Sequence, residues 1–225
     1  MQLQDHCLLI TDMMGPAGSS MAHAFAASGA SVIFGGQEPE RGHKLQELLE
    51  ATGANALFIE VDPHNESAVQ SFISEVIMTF GRLDGVVLNH PLAAAKDTER
   101  SIENALESEL LTARYASPFL SSSPRGALVM IAQHDAHDSI KAQTSALADL
   151  WAPQGIRVNS IVIGQMMSGL PGASAEHVQA AVADIPLSRL GTPDDIAQPC
   201  GFLLSTESSY ITGAMLHCDG GASLR

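Results

Sequence analysis

Residues 67–89 read S-A-V-Q-S-F-I-S-E-V-I-M-T-F-G-R-L-D-G-V-V-L-N. Val69, Phe72, Ile73, Val76, Ile77 and Phe80 recur at three- and four-residue spacing, which gives a helix over 66–80 one apolar face. Gly85–Asn89 follows as a short, near-continuous apolar run, the pattern of a strand covered on both faces. The same alternation extends in both directions. Strands are expected at Cys7–Thr11, Ser31–Gly35, Ala56–Val61, Gly85–Asn89, Ala127–Ala132, Ile156–Ile163 and Met215–Cys218. Helices are expected near 18–29, 39–51, 66–80, 99–120, 139–152 and 193–205. This order predicts an α/β fold of the Rossmann-like, doubly wound kind: a mostly parallel seven-stranded sheet with helices on both faces. One domain over residues 1–225 is expected, with no repeat, linker or low-complexity segment. Ligands of such sheets bind at the carboxyl ends of the strands, so the turns after strands one, four and five should hold the chemistry.

Composition narrows the function classes. Of the 225 residues, 45% are hydrophobic and 16% charged, which excludes a disordered chain. No apolar run is long enough to span a bilayer, and the start M-Q-L-Q-D-H lacks a signal-like core. A soluble, cytoplasmic protein is the expectation. The net charge of −14 argues against nucleic acid or an anionic membrane as partner. Cys7, Cys200 and Cys218 are widely spaced in apolar contexts and read as buried reduced thiols, with no C-x-x-C pair for a metal or redox site.

The C-terminal third carries the most specific pattern: P-L-S-R-L-G-T-P-D-D at 186–195, F-L-L-S at 202–205, S-Y-I-T-G at 209–213 and D-G-G at 219–221. With I-R-V-N-S-I at 156–161 and F-G-R-L-D at 80–84, the whole chain resembles the single-domain short-chain dehydrogenase/reductase family. That resemblance implies a nicotinamide dinucleotide, NAD or NADP, and hydride transfer by a Ser, a Tyr-x-x-x-Lys pair and an upstream Asn.

Laid on the family pattern, the site positions depart from it. T-D-M-M-G-P-A-G at 11–18 stands where the family has T-G-x-x-x-G-x-G, so Asp12 and Pro16 replace glycines and Gly18 matches. Glycines there let the backbone approach a pyrophosphate held by the following helix. Asp12 would add negative charge, and Pro16 would remove an N–H. Gly15, one place off, can restore some room, and Ser19 and Ser20 can donate hydrogen bonds. Gln37 falls where an acidic residue would choose NAD or a basic one NADP, so neither choice is made. Asp62 matches a family aspartate at the adenine edge, though it can also simply cap a strand end. In L-N-H-P at 88–91, Asn89 is kept, while His90 and Pro91 replace small residues that line the cofactor groove. The active-site Asn position falls at about Glu109, either a carboxylate facing the pocket or a solvated one on an interface helix. At strand six Gly164 is kept, with Ser168 near the position of a carboxamide-holding Thr.

After strand five the chain reads I-A-Q-H-D-A-H-D-S-I-K at 131–141. Counted back from Arg157, the family lysine position falls at His137 and the tyrosine position at Gln133. Counted forward, the serine position also falls at Gln133. The segment is shortened by about a dozen residues relative to the family. Tyr115 and Tyr210 are the tyrosines present, and Lys141 has no tyrosine four residues before it. The polar cluster has three readings. Asp138 or Ser139 caps a helix starting near Ile140. His134 or His137 pairs with Asp135 or Asp138 for acid–base work. Or His134 and His137 hold a metal, a weak pattern without a third ligand, so no metal is expected. Ile140, Ala146, Leu147, Leu150 and Trp151 lie on or near one helix face, with Trp151 as an anchor for another subunit or packed within its own.

The resulting expectation is a catalytically degenerate member of that family, with NAD(P) binding weak or lost. It would serve as a structural or regulatory subunit of a homo-oligomer (dimer or tetramer), or of a hetero-oligomer with an active relative. Two alternatives remain. One is a divergent NAD(P)-dependent carbonyl or alcohol oxidoreductase. The other is a cofactor-independent enzyme using His90, His134 or His137 with Glu109.

Overall fold

The computed structural model describes residues 2–13, 17–89, 99–133, 137–167 and 174–224, with backbone alone at 99–109 and 137–138. Seven strands form one sheet: β1 (Cys7–Ile10), β2 (Ser31–Gly36), β3 (Ala56–Glu60), β4 (Gly85–Asn89), β5 (Ala127–Gln133), β6 (Arg157–Ile163) and β7 (Met215–Cys218). Their order is β3-β2-β1-β4-β5-β6-β7, and every pairing is parallel. The expected "mostly parallel" sheet is thus parallel throughout. The order reverses between β1 and β4, the switch point beside which such sheets open a ligand crevice.

The helices are α1 (Gly18–Ala27), α2 (Pro39–Glu50), α3 (Glu66–Phe80), α4 (Glu99–Ser122), α5 (His137–Trp151), α6 (Ala175–Val182) and α7 (Pro193–Leu204). They cover both faces because successive strand residues point opposite ways. Leu8, Ile10, Phe34, Val129 and Ile161 pack with Met21, Phe25, Leu49, Ile196 and Cys200 on one face. Leu9, Ile33, Val86, Leu128 and Val162 pack with Val69, Phe72, Ala116, Leu120 and Trp151 on the other. α3 starts at Asn65, whose side chain accepts from Ala68 N, and ends at Gly81 in the left-handed region.

Three local expectations need correction. α5 begins at His137, so Asp138 and Ser139 lie inside its first turn and do not cap it. Sequence alone places such ends only within a few residues. α6 was not expected, although Ser174 caps it by accepting from His177 N at 3.3 Å. Its eight residues bury none of their number, so it carries too little apolar periodicity to be noticed. Trp151 is 7% exposed and belongs to the chain's own core, so it is no ready anchor for a second subunit. Leu150 beside it is the exposed one, at 62%. No helix among the described residues is long and apolar enough to cross a membrane. Cys7 and Cys200 are buried free thiols and Cys218 is half-buried; burial pushes the Cys7 thiol up to about 12 and the Cys218 thiol up to about 11.

Candidate active site

The carboxyl ends of β1, β2 and β4 meet at the switch point. Asn89, fully buried at the end of β4, ties the first turn down. Its backbone N–H donates to Thr11 Oγ1 at 3.0 Å, and its Nδ2 donates to the Asp12 carbonyl at 2.6 Å. Its Oδ1 has no partner among the described residues.

Gly18 is required by packing: a Cβ there would sit 2.4 Å from the Met13 carbonyl oxygen. Only glycine lets α1 start this close to the turn. Met13 N donates to the Gly35 carbonyl at 3.0 Å, which links the turn to β2. The Asp12 carboxylate leans the same way, with Oδ1 3.8 Å from where a Gly36 Cβ would lie. Gln37 and Asp62, one just past β2 and one past β3, are brought together, with Gln37 Nε2 donating to Asp62 Oδ1 at 3.2 Å. The same oxygen accepts from His64 N at 3.0 Å. Arg41 is spent on Glu38 at 3.1 Å on the exposed side of α2.

α1 has no side-chain cap and no acidic residue in its own first turn. A carboxylate arrives from elsewhere. Asp194, in the first turn of α7, accepts from Ser20 Oγ at 2.6 Å. The neighbouring Asp195 has a different task. It accepts from Arg189 Nη1 and Nη2 at 2.7 and 2.8 Å and from Thr192 N and Oγ1, both at 2.8 Å. The Arg189 guanidinium and the Thr192 N–H hold its carboxyl well below the usual range. The sequence pattern T-P-D-D showed both carboxylates as scaffold and missed that one of them reaches α1.

At β5 the connection to α5 is three residues long, 134–136. Gln133 ends β5, paired in register with Ile163 of β6. Neither tyrosine stands beside it. Tyr115 Oη donates to Glu66 Oε1 at 2.7 Å across the α3–α4 seam, where Arg114 also pairs with Glu66. Tyr210 is fully exposed near the amino end of β6, where Thr212 and Ile211 bond Val158 and Asn159. Lys141 is exposed on α5. Gly15, His90, His134 and Ser168 lie outside the described residues, as do the side chains of Glu109 and His137. The acid–base and metal readings of the histidine cluster therefore stand as the sequence left them, while the capping reading gives way to a helix that starts at His137. Among the described residues no group of three metal-ligating side chains comes together.

Gly164, at the end of β6, packs against the Asp219 Cα, only 2.7 Å from a hypothetical Cβ. Its smallness lets β6 and the D-G-G turn close on each other. Asp219 accepts from Gly221 N and Ser223 N at 2.9 Å each. Beside this turn lies a depression of about 480 Å³ lined by Gln165, Leu187, Arg189, His217, Cys218 and Asp219. Nothing in the sequence patterns pointed to it.

A parallel sheet in this order, reversing between β1 and β4, defines a dinucleotide-fold protein. The profile of the family described as "Enoyl-(Acyl carrier protein) reductase" matches residues 17–223, and the chain belongs to the short-chain dehydrogenase/reductase family. Members of this family typically bind NAD(P). The chain is 28% identical to the cis-4-hydroxycyclohexanecarboxylate dehydrogenase of Sinomonas cyclohexanicum, over 95% of this chain and 94% of that protein. It is 28% identical to the dehydrogenase subunit BbsC of Thauera aromatica, over 96% of this chain and 93% of that one. A crystal structure of a putative short-chain alcohol dehydrogenase from Sinorhizobium meliloti superposes with a TM-score of 0.86 at 26% identity, covering 99% and 98% of the two chains.

Proposed function

We propose that this chain is a non-catalytic member of the family, a structural or regulatory subunit assembled with copies of itself or with an active relative. The observation that carries the reading is the three-residue connection between β5 and α5. Family chemistry needs a serine at the end of β5 and a phenol four residues before a lysine on α5, so that a proton moves at a lowered pKa. Gln133 and His137 occupy those positions, and both tyrosines are engaged or placed elsewhere. A relative named as a dehydrogenase subunit lends support. So does apolar surface left around β7 at the edge of the sheet: Phe202 is 38% exposed, Leu216 39% and Leu224 84%.

NAD(P) fits one part of the groove and not another. The adenosine end keeps Asp62, Gly35 and Gly36. The phosphate seat carries the Asp12 carboxylate and, from the sequence, Pro16. The reading therefore has the cofactor weakly held or lost. Light scattering of the purified chain, alone and co-expressed with an intact relative, tests the assembly. A panel of carbonyls and alcohols with NADH, NADPH, NAD and NADP tests the chemistry. Turnover by the chain alone would overturn the proposal.

The retained packing of Gly18 and the anchored Asn89 favour a second reading, a divergent NAD(P)-dependent oxidoreductase with a different proton donor. Saturable NADH binding with a rise in Tm would favour it.

A further inference from the structure

The depression beside the D-G-G turn lies at the β6–β7 side of the sheet, and β7 stands three strands beyond β4 in the order β4-β5-β6-β7. At about 4.8 Å per strand, that is roughly 14 Å from β4 and the switch point. Its walls are tied by backbone bonds. Leu187 N donates to Gly220 O at 3.1 Å and Gly191 N to Gln165 O at 2.9 Å. Asp219 gathers Gly221 N and Ser223 N. A Cβ on Gly220 would lie 2.7 Å from Ile185 Cγ2, so the turn and the segment before Arg189 are in close contact. A depression whose walls are already fixed asks little ordering of a ligand.

The surface is apolar at the sides and polar at one point. Pro186, Leu187 and Leu224 line it, and both leucines are largely exposed. The polar point is the Arg189–Asp195 pair. Arg189 Nη1 donates to Asp195 Oδ2 and to Leu190 O, and Nη2 donates to Asp195 Oδ1. The Nε–H of Arg189 and the second N–H of its Nη2 have no partner among the described residues. Asp195 Oδ2 also takes both groups of Thr192, whereas Oδ1 accepts from Arg189 alone among the described residues. The pair therefore offers a donor edge and an acceptor side by side, with its own charges cancelled. An added anion would meet Asp195 and Asp219, and an added cation would meet Arg189. His217 on the same wall lies 4.0 Å from Asp219 Oδ2.

We infer that this depression is a binding site for a small uncharged ligand that joins an apolar body to a carboxamide-type head. The body lies against Pro186, Leu187 and Leu224. The carbonyl oxygen of the head accepts from Arg189 Nε and Nη2, and its N–H donates to Asp195 Oδ1. The site is separate from the nucleotide groove, so it stands whether or not the chain turns over a carbonyl or an alcohol.

The test is an NMR titration of the ¹⁵N-labelled full chain at pH 7 with benzamide, benzoate and benzylamine, which share one apolar body and differ in the charge of the head. The expected result is saturable shifts of the Leu187, Gly220, Gly221 and Leu224 amides by benzamide, with both charged probes at least about tenfold weaker. Leu224→Ala should weaken benzamide at least about threefold at unchanged Tm, because the side chain is exposed and the fold does not rest on it. Equal affinity for the three probes would mean a plain apolar surface and would overturn the inference. So would shifts centred elsewhere, or no saturable response to benzamide. A response that disappears as light scattering shows the chain dimerising would assign the face to a second copy and overturn it too.

Discussion

The two ends of the sheet are built on opposite principles. At the amino end, buried polar groups are tied to one another. Asp84 is fully buried and accepts from Arg82 Nη2 at 2.8 Å, Cys7 N at 2.9 Å and Ser123 Oγ at 2.5 Å. Burial alone would push its carboxyl up, but the hydrogen bonds from Arg82, Ser123 and Cys7 outweigh that and hold it below the usual range. Arg157 donates to the carbonyls of Leu203, Leu204 and Ser205 and so closes the carboxyl end of α7. Asn159 bridges Ile211 O and Ala214 N. At the carboxyl end, Asn89 Oδ1 has no partner among the described residues, and Asp194 is an exposed carboxylate that meets Ser20 alone in the described contacts. F-G-R-L-D, I-R-V-N-S-I and S-Y-I-T-G are therefore fastening for the amino end. The departures from the family fall at the other end, where side chains serve ligands and the fold depends on them less.

The largest effect expected from this contrast is at Asp84. Asp84→Ala strands Cys7 N and removes the partner of Arg82, and should cost about 3 kcal/mol in urea unfolding at pH 7. Its folded pKa is depressed, so its contribution is complete above the unfolded value near 4 and fades as pH falls toward the folded one. The variant should therefore lose less stability than the native chain on acidification through that window. Next is Arg157→Met, expected to cost about 2 kcal/mol by unsealing α7, with hydrogen exchange accelerated first at residues 200–205. A loss under about 0.5 kcal/mol for either would break the comparison.

His6 gives a smaller, sharper effect. It is 4% exposed, its Nδ1 lies 3.1 Å from Gln4 O and 3.3 Å from Arg125 Nη1, and its Nε2 has no partner among the described residues. Burial pushes its pKa below the ordinary 6.5. A depressed base leaves stability intact above 6.5 and removes it as pH falls below, at up to about 1.4 kcal/mol per pH unit. Tm measured between pH 7 and 5.5 should fall in the native chain and fall less in His6→Gln. The smallest effect belongs to the carboxyl end. Gln37→Ala removes an exposed hydrogen bond to Asp62 and should change stability by less than about 0.5 kcal/mol. A larger loss there would show that the groove is also fastening.

How much of this was readable beforehand follows from the range of each interaction. Among the described residues, periodicity marked all seven strands and six of the seven α-helices, with β4, α3 and β7 placed to the residue, because alternating burial writes itself into neighbouring positions. The exception, α6, buries nothing and so leaves no stripe. Of the site, the sequence determined Asp12, Gln37, Asp62 and Asn89 at strand ends, since a parallel sheet fixes where its carboxyl ends lie. It could not join Gln37 to Asp62, bury Trp151 in its own core, or bring Asp194 to Ser20. Those contacts depend on how layers close over the sheet, and closure is a property of packing between distant elements, which no local pattern encodes.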